Sequence, residues 1–302
     1  MSNELLLRRR NLLLRKQEEE ISIRAVCFRA DGEQTVAITK VGSAPTITMQ
    51  YSYNGKTWDA WDLSPLPFGG STKVYVRGVG NSAFGKDNSN YNKITFGTDS
   101  YVYVSGIVES LLDGENEVLE YRTQGTLRNL FYQQAALYSA ENLRFEAKST
   151  ISECTAVYAY MFAGCTNLIY APISLSIESI GGGWSYSRMF QGCTSLITAP
   201  ELPATDIPQN CYEYMFQDCT SLITAPELPA TRPIIGCYDY MFQGCTSLTS
   251  IRCLAKRKYS KPTNSWVSGV ASSGTFYGYS EYGWKSGADG IPSGWTFVEL
   301  TD

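Results

Sequence analysis

Nine cysteines and no histidine bound the chemistry open to this 302-residue chain. Cys165, Cys193, Cys219 and Cys245 recur at spacings of 28, 26 and 26 residues, and Cys211 and Cys237 form a second column. A zinc site would want thiolates in close pairs or imidazole beside them, and the sequence offers neither. Disulfides along a column are geometrically open, but a total of nine and the lack of an export signal argue against them. The third use is structural: a ladder of small apolar thiols filling narrow space between layers, since unpaired cysteine is among the most buried residue types. That ladder is the reading favoured here.

Paired carboxylates are the other chemistry to weigh. Asp59 and Asp62 could be cast as an acid and base for sugar cleavage. Three residues apart on a strand, however, they point to opposite faces and read as solvated groups. Ser52-Tyr-Asn-Gly-Lys-Thr-Trp58 resembles the Asp-box of sialidase-like hairpins, one residue short and with Asn for Asp. In those proteins the box is itself mostly a structural turn. Without histidine the usual general base, metal ligand and partner for a Ser or Cys nucleophile are all missing. No catalytic residue, metal or cofactor is expected, and the chain is not expected to be an enzyme. Lys256-Arg-Lys258 with Lys261 is a small basic cluster, either solvated or facing an anionic partner.

The elements that must position these residues are repeats. Met189 to Thr205 is written again as Met215 to Thr231 with one difference, Gly192 against Asp218. Aligned copies place Met161, Phe162, Cys165 and Leu168; Met189, Phe190, Cys193 and Leu196; Met215, Phe216, Cys219 and Leu222; and Met241, Phe242, Cys245 and Leu248 at the same offsets. A blurred copy runs from Leu130 through Ala135 to Leu137. One such unit buries too little to fold alone, so the copies must stack and be capped. Asn210 to Gln217 reads as one or two turns of helix capped by Asn210. Asp218, like Gly164, Gly192 and Gly244, stands where a left-handed residue ends it. Leu222 to Leu228 reads as a short ladder strand, with Pro226 limiting its bonds.

The pattern Met-Phe-x-Gly-Cys-Thr-Ser-Leu resembles the BspA-like leucine-rich repeats over residues 130–253. Ser265 to Phe276 and Gly290 to Trp295 are similar to the C-terminal caps of such proteins from gut anaerobes and their phages. The resemblance implies surface display, adhesion or protein contact without catalysis.

Glu4-Leu-Leu-Leu-Arg-Arg-Arg10 and Asn11-Leu-Leu-Leu-Arg-Lys-Gln17 write one heptad twice. Leu5 with Leu12, Leu6 with Leu13 and Leu7 with Leu14 thus share a helix side. Apolar runs of three are too short for a secretory signal. The segment is either a short self-associating helix or a peptide that docks on a larger assembly; docking, through Leu5, Leu6, Arg8, Arg9, Arg10, Leu12, Leu13 and Leu14, is favoured. Openings of this kind are similar to the N-termini of virion proteins in phages of gut anaerobes.

The expected fold class is α+β with repeats: a helical anchor over 1–20, a small Ig-like β-sandwich over 21–98, an N-terminal cap over 99–129, a leucine-rich-repeat solenoid over 130–253 and a C-terminal cap over 254–302. Strands alternate through Ile47 to Tyr53, and Asn54-Gly55 signals a two-residue hairpin turn. Net charge of −4 argues neither for nucleic acid nor for a membrane surface. No apolar run is long enough to span a bilayer. The expected function is a virion surface protein, a head fibre or decoration protein. Its first residues would meet capsid or other virion proteins, and its repeats would meet a glycan or protein on the host surface. Assembly as a homo-oligomer, a trimer among the options, goes with it. The alternative is a BspA-like bacterial cell-surface adhesin.

Overall fold

The computed structural model describes residues 23–98, 100–116, 120–121, 123–147, 149–150, 154–175, 182–256 and 262–301. The expected anchor over 1–20 and its docking residues lie outside the described residues.

Two sheets open the described chain. The first holds β1 (Val26–Ala30), β3 (Met49–Ser52), β4 (Asp59–Trp61), β6 (Val74–Gly78), β9 (Val102–Ile107) and β11 (Leu137–Arg144), ordered β11-β9-β1-β6-β3-β4. The second holds β2 (Gln34–Val41), β5 (Leu66–Phe68), β7 (Gly85–Asp87) and β8 (Asn90–Phe96), ordered β5-β2-β8-β7. β6 and the first five residues of β2 alternate as half-buried strands must, while central β1 is buried at four of its five residues. Val26, Phe28, Val74, Val76, Val102 and Val104 from the first sheet and Val36, Ile94 and Phe68 from the second are buried together. Phe28 meets Phe68 and Phe96 at centroid distances of 6.3 and 5.4 Å. The Asn54-Gly55 turn differs from the two-residue form expected. The pairing stops at Tyr51–Asp59, and the Ser52 hydroxyl and Asn54 carboxamide gather the N–H groups of Gly55, Lys56 and Thr57 in a wider loop.

The sandwich runs into the repeats without a break in the core. The Ile94 N–H donates to the Leu130 carbonyl at 2.8 Å, and Phe96 stacks on Phe131 at 6.4 Å. Between β9 and the short parallel pair β10 (Glu120–Tyr121) and β12 (Ser149–Thr150), a 3₁₀ turn over Val108–Leu111 carries the fully buried Glu109. Its carboxyl oxygens accept the Glu146 N–H at 2.9 Å and the Tyr158 hydroxyl at 3.0 Å, so a buried polar group is held by donors on either side of the junction.

The repeats depart from the expected α+β solenoid. No α-helix occurs among the described residues, and the strand ladder is reduced to single bridges such as Thr224–Ser250 and Leu228–Cys253. The stretch expected as helix is a run of tight turns with a left-handed residue at every fourth position. Asn210, Tyr214 and Asp218 have φ of 57°, 56° and 59°, and Tyr160, Arg188 and Tyr240 match them at 60°, 58° and 57°. Asn210 is thus not a helix cap.

The hydrogen bonds show why. The N–H groups of Ala159, Met161, Ala163 and Cys165 bond backward within their own unit at 3.1–3.2 Å. Those of Tyr158, Tyr160, Phe162 and Gly164 instead reach Ser185, Ser187, Met189 and Gln191 in the next unit at 2.8–3.1 Å. The same alternation recurs from Tyr186 to Gly192, Tyr212 to Asp218 and Tyr238 to Gly244. A helix spends every interior N–H on itself. This path gives half of them to its neighbour, and the left-handed residues turn them outward. Local propensity loses to a non-local bond that a single unit cannot form.

The far end is closed by a parallel sheet, β13 (Ser250–Arg252), β14 (Thr275–Gly278) and β15 (Thr296–Glu299). Trp266 is fully buried, stacks against Tyr238 and Trp284 at 6.2 and 5.8 Å, and donates its indole N–H to Gly290 at 2.8 Å. A second 3₁₀ turn, Ser280–Tyr282, lies beside it.

Candidate contact face of the repeats

The ladder residues named from the sequence come together as columns. Phe131, Phe162, Phe190, Phe216 and Phe242 stack ring on ring at 5.3–5.8 Å with interplanar angles of 2–9°. Met161, Met189, Met215 and Met241 and the leucines Leu168, Leu196, Leu222 and Leu248 are fully buried beside them. A second buried column runs Tyr158, Tyr186, Tyr212, Tyr238 and Trp266.

The four cysteines of the first column are unbridged thiols aimed at backbone. Cys165, Cys193, Cys219 and Cys245 donate S–H to the carbonyls of Phe131, Phe162, Phe190 and Phe216 at 3.0–3.1 Å, each reaching into the unit before. Burial pushes the Cys165 and Cys245 thiols up to about 12, and those of Cys193 and Cys219 well above their ordinary value. Thiols held protonated are poor nucleophiles and poor ligands. These columns build the stack and offer nothing to a partner.

What faces outward is the left-handed residue ahead of each methionine. Arg188 lies between two tyrosines, its guanidinium 5.7 Å from the Tyr160 ring and 3.8 Å from that of Tyr214. Tyr214 stacks on Tyr240 at 4.5 Å and 6°, and the Tyr240 hydroxyl accepts from Asn264 at 2.7 Å. Half-buried Glu213 has its carboxyl pushed up by burial, opposed by Arg188 and by hydrogen bonds from Asn210 and Trp184. Trp184 is 40% exposed, though tryptophan is normally well covered. A glutamine ladder, Gln191 to Gln217 to Gln243, runs alongside.

Sequence reasoning did not single out Arg188, Tyr214, Tyr240 or Trp184 as a set. The signal was a constant offset: Tyr160, Arg188, Tyr214 and Tyr240 each immediately precede the ladder methionine.

The varied loops flank this row. Asp206 and Gln209 are exposed in one unit, and Arg232 and Ile235 in the next, with Ile235 at 54%. Of the insertion from Ile177 to Trp184, only Gly182 onward is described. In the basic cluster Lys256 lies over the Tyr279 ring at 4.3 Å; Arg257, Lys258 and Lys261 lie outside the described residues. Asp59 and Asp62 are exposed, and hydrogen bonds from Ser64 hold the Asp62 carboxyl below its usual value, the wrong direction for a proton donor.

Comparison with known proteins yields one family. The model of the BspA type leucine rich repeat region matches in six copies, over residues 132–213 and 155–262. No curated protein and no solved structure matches the chain. The copied Met-Phe-Cys-Leu interior and the stacked units agree with this match: residues 132–262 are similar to a BspA type leucine rich repeat region.

Proposed function

We propose that this chain is a non-enzymatic virion surface protein of a phage, a head fibre or decoration protein. In this reading residues 1–20 fix it to capsid or other virion proteins, and the repeat region meets a protein or glycan on the host surface. The observation that carries the adhesive part is a contrast within the repeats. Met215–Thr231 copies Met189–Thr205 almost letter for letter, while the turns that follow change from Asp206-Ile-Pro-Gln209 to Arg232-Pro-Ile-Ile235. A stack kept for its interior alone would have no use for that difference, whereas a contact face would. The row of exposed Trp184 and half-buried Arg188, Tyr214 and Tyr240 has the aromatic and arginine composition of interface hot spots. Many copies on one particle would multiply a weak site.

The support for the virion is the doubled Leu-Leu-Leu-Arg heptad with its Arg8, Arg9 and Arg10. Mixing purified particles with the full chain and with a chain lacking residues 1–20 tests it. Co-sedimentation of the full chain alone is expected, together with its presence in the particle's protein inventory. Absence from the inventory would end the virion reading and leave a bacterial cell-surface adhesin, the reading the repeat match favours by itself. The adhesive face is tested separately: Trp184→Ala and Arg188→Ala should reduce adhesion to host cells while leaving particle binding intact.

A further inference from the structure

A second set of aromatic side chains lies away from the repeat face, on the outer side of the first sheet. Tyr101, just ahead of β9, and Tyr103 within it flank the buried Val102, so both rings point away from the core. Tyr138 follows the buried Leu137 in β11, and Tyr170 comes alongside through its bridge to Ser139. Tyr101, Tyr138 and Tyr170 form a row, the first pair tilted at 5.0 Å and the second edge-on at 6.2 Å, with Tyr103 tilted beside Tyr138 at 5.5 Å. Tyr101 is 48% exposed. Beside it opens a recess whose walls include Asp31, Thr98, Ser100 and Asn167. Arg29 covers the Tyr103 ring at 4.1 Å and reaches Asp31 at 3.4 Å, and Asp31 in turn accepts the Tyr103 hydroxyl at 2.8 Å.

We propose that this row and its recess bind a neutral, linear glycan. A pyranose ring has an apolar face of C–H bonds and a rim of hydroxyls. The negative faces of tyrosine rings attract the first, and a few placed polar groups take the second. Three features support the assignment. The exposed Tyr101 ring, continued by half-buried Tyr138 and Tyr170, offers adjoining sugar units an aromatic surface. The recess wall mixes a carboxylate, a carboxamide and hydroxyls, which accept from and donate to vicinal hydroxyls. Arg29 and Asp31 neutralise one another, so the site has no surplus charge for a sialylated or uronic sugar. A proline-rich peptide is the competing occupant of aromatic rows. It would use the rings but leave the polar rim without partners, which costs binding energy. The site is independent of where the chain is displayed and of the Trp184 face.

Saturation-transfer NMR of the full chain tests this. The probes are cello-, chito-, xylo- and manno-oligosaccharides, a sialylated oligosaccharide and a proline-rich peptide. Transfer to the ring C–H protons of at least one neutral oligosaccharide is expected. Tyr101→Ala should weaken that binding roughly tenfold, about 1.4 kcal/mol at 25 °C; Tyr101→Phe should keep most of it and Trp184→Ala all of it. Tyr138→Ala, with its melting curve checked, gives a second reading on the same row. Binding of the peptide or the sialylated sugar alone would overturn the proposal. So would no binding by any neutral oligosaccharide, or a Tyr101→Ala chain that binds as well as the parent. None of these outcomes bears on particle co-sedimentation or on adhesion through Trp184.

Discussion

Tyr214 separates the turn-built repeat from the helical one that its sequence suggests. The residue has φ of 56°, and its ring stacks on Tyr240 and under Arg188. Replacing it by Ala or by Gly removes the same ring, so the difference between the two variants reports the backbone alone. In the interior of an α-helix Gly is about 1 kcal/mol worse than Ala. In a left-handed turn Ala carries a strain of about 1–2 kcal/mol that Gly avoids. Glycine's freer unfolded chain takes back about 0.4–1 kcal/mol of that advantage. Tyr214→Gly is therefore expected to be more stable than Tyr214→Ala by on the order of 0.5–1 kcal/mol. The two architectures differ in sign, and their predictions are separated by roughly 1.5–2 kcal/mol. Urea denaturation followed by tyrosine and tryptophan fluorescence, with m-values compared to confirm a common unfolded state, resolves such a gap. Tyr240, at φ 57°, provides a repeat of the experiment one unit on. Alanine variants equal to or more stable than glycine variants at both positions would refute the left-handed path.

The remaining predictions concern the core and its titration. Phe216→Ala removes a fully buried ring stacked on both sides, and a loss of about 3–5 kcal/mol in unfolding free energy, read by denaturant titration, is expected; a loss under half of that would mean the column does not hold the stack. Glu109→Ala removes the acceptor of the Tyr158 hydroxyl and Glu146 N–H bonds and should cost about 1–3 kcal/mol, measurable by thermal melting. Seven buried thiols, Cys165, Cys193, Cys211, Cys219, Cys237, Cys245 and Cys253, have folded pKa values raised above the ordinary 9.0. Their contribution is complete below pH 9 and is lost as pH rises, because only the unfolded chain releases those protons. At on the order of 1 kcal/mol per thiol per pH unit, the fold should collapse cooperatively between about pH 9 and 11. Circular dichroism against pH checks this, and a chain still folded well above that range would contradict the burial. At pH 8 the same thiols should resist iodoacetamide until denaturant is added, as mass spectrometry would show.

How far the sequence could be read follows from where each determinant lies. The Met-Phe-Cys-Leu columns were legible because their copies are nearly identical, and identity at a fixed period implies stacking. The local conformation was not, since Asn210 to Gln217 has helix-like composition and what decides against helix is an acceptor 26 or so residues away. A cue was present in Asn210 and Asp218, or Gly236 and Gly244, residues tolerant of positive φ set eight apart with Tyr214 or Tyr240 midway. The β-sandwich was visible in its alternation, as in Ile47 to Tyr53. The wide Asn54-Gly55 loop was hidden, because it depends on Ser52 and Asn54 side chains competing for backbone donors. Tyr101 and Tyr103 could be placed on one strand face, but their convergence with Tyr138 and Tyr170 required the parallel pairing of β9 with β11.

The near-identity of neighbouring coils has an evolutionary consequence. Each coil hands on the same set of donors and rings that it receives, so the gene can lose or gain one internal copy by unequal recombination and the joint will still match. Neither the sandwich nor the tryptophan-sealed end would register the change. Reach would shift by one ring spacing, 5.3–5.8 Å, and a fresh outward loop would come with it. Length and ligand preference could thus drift together in single steps.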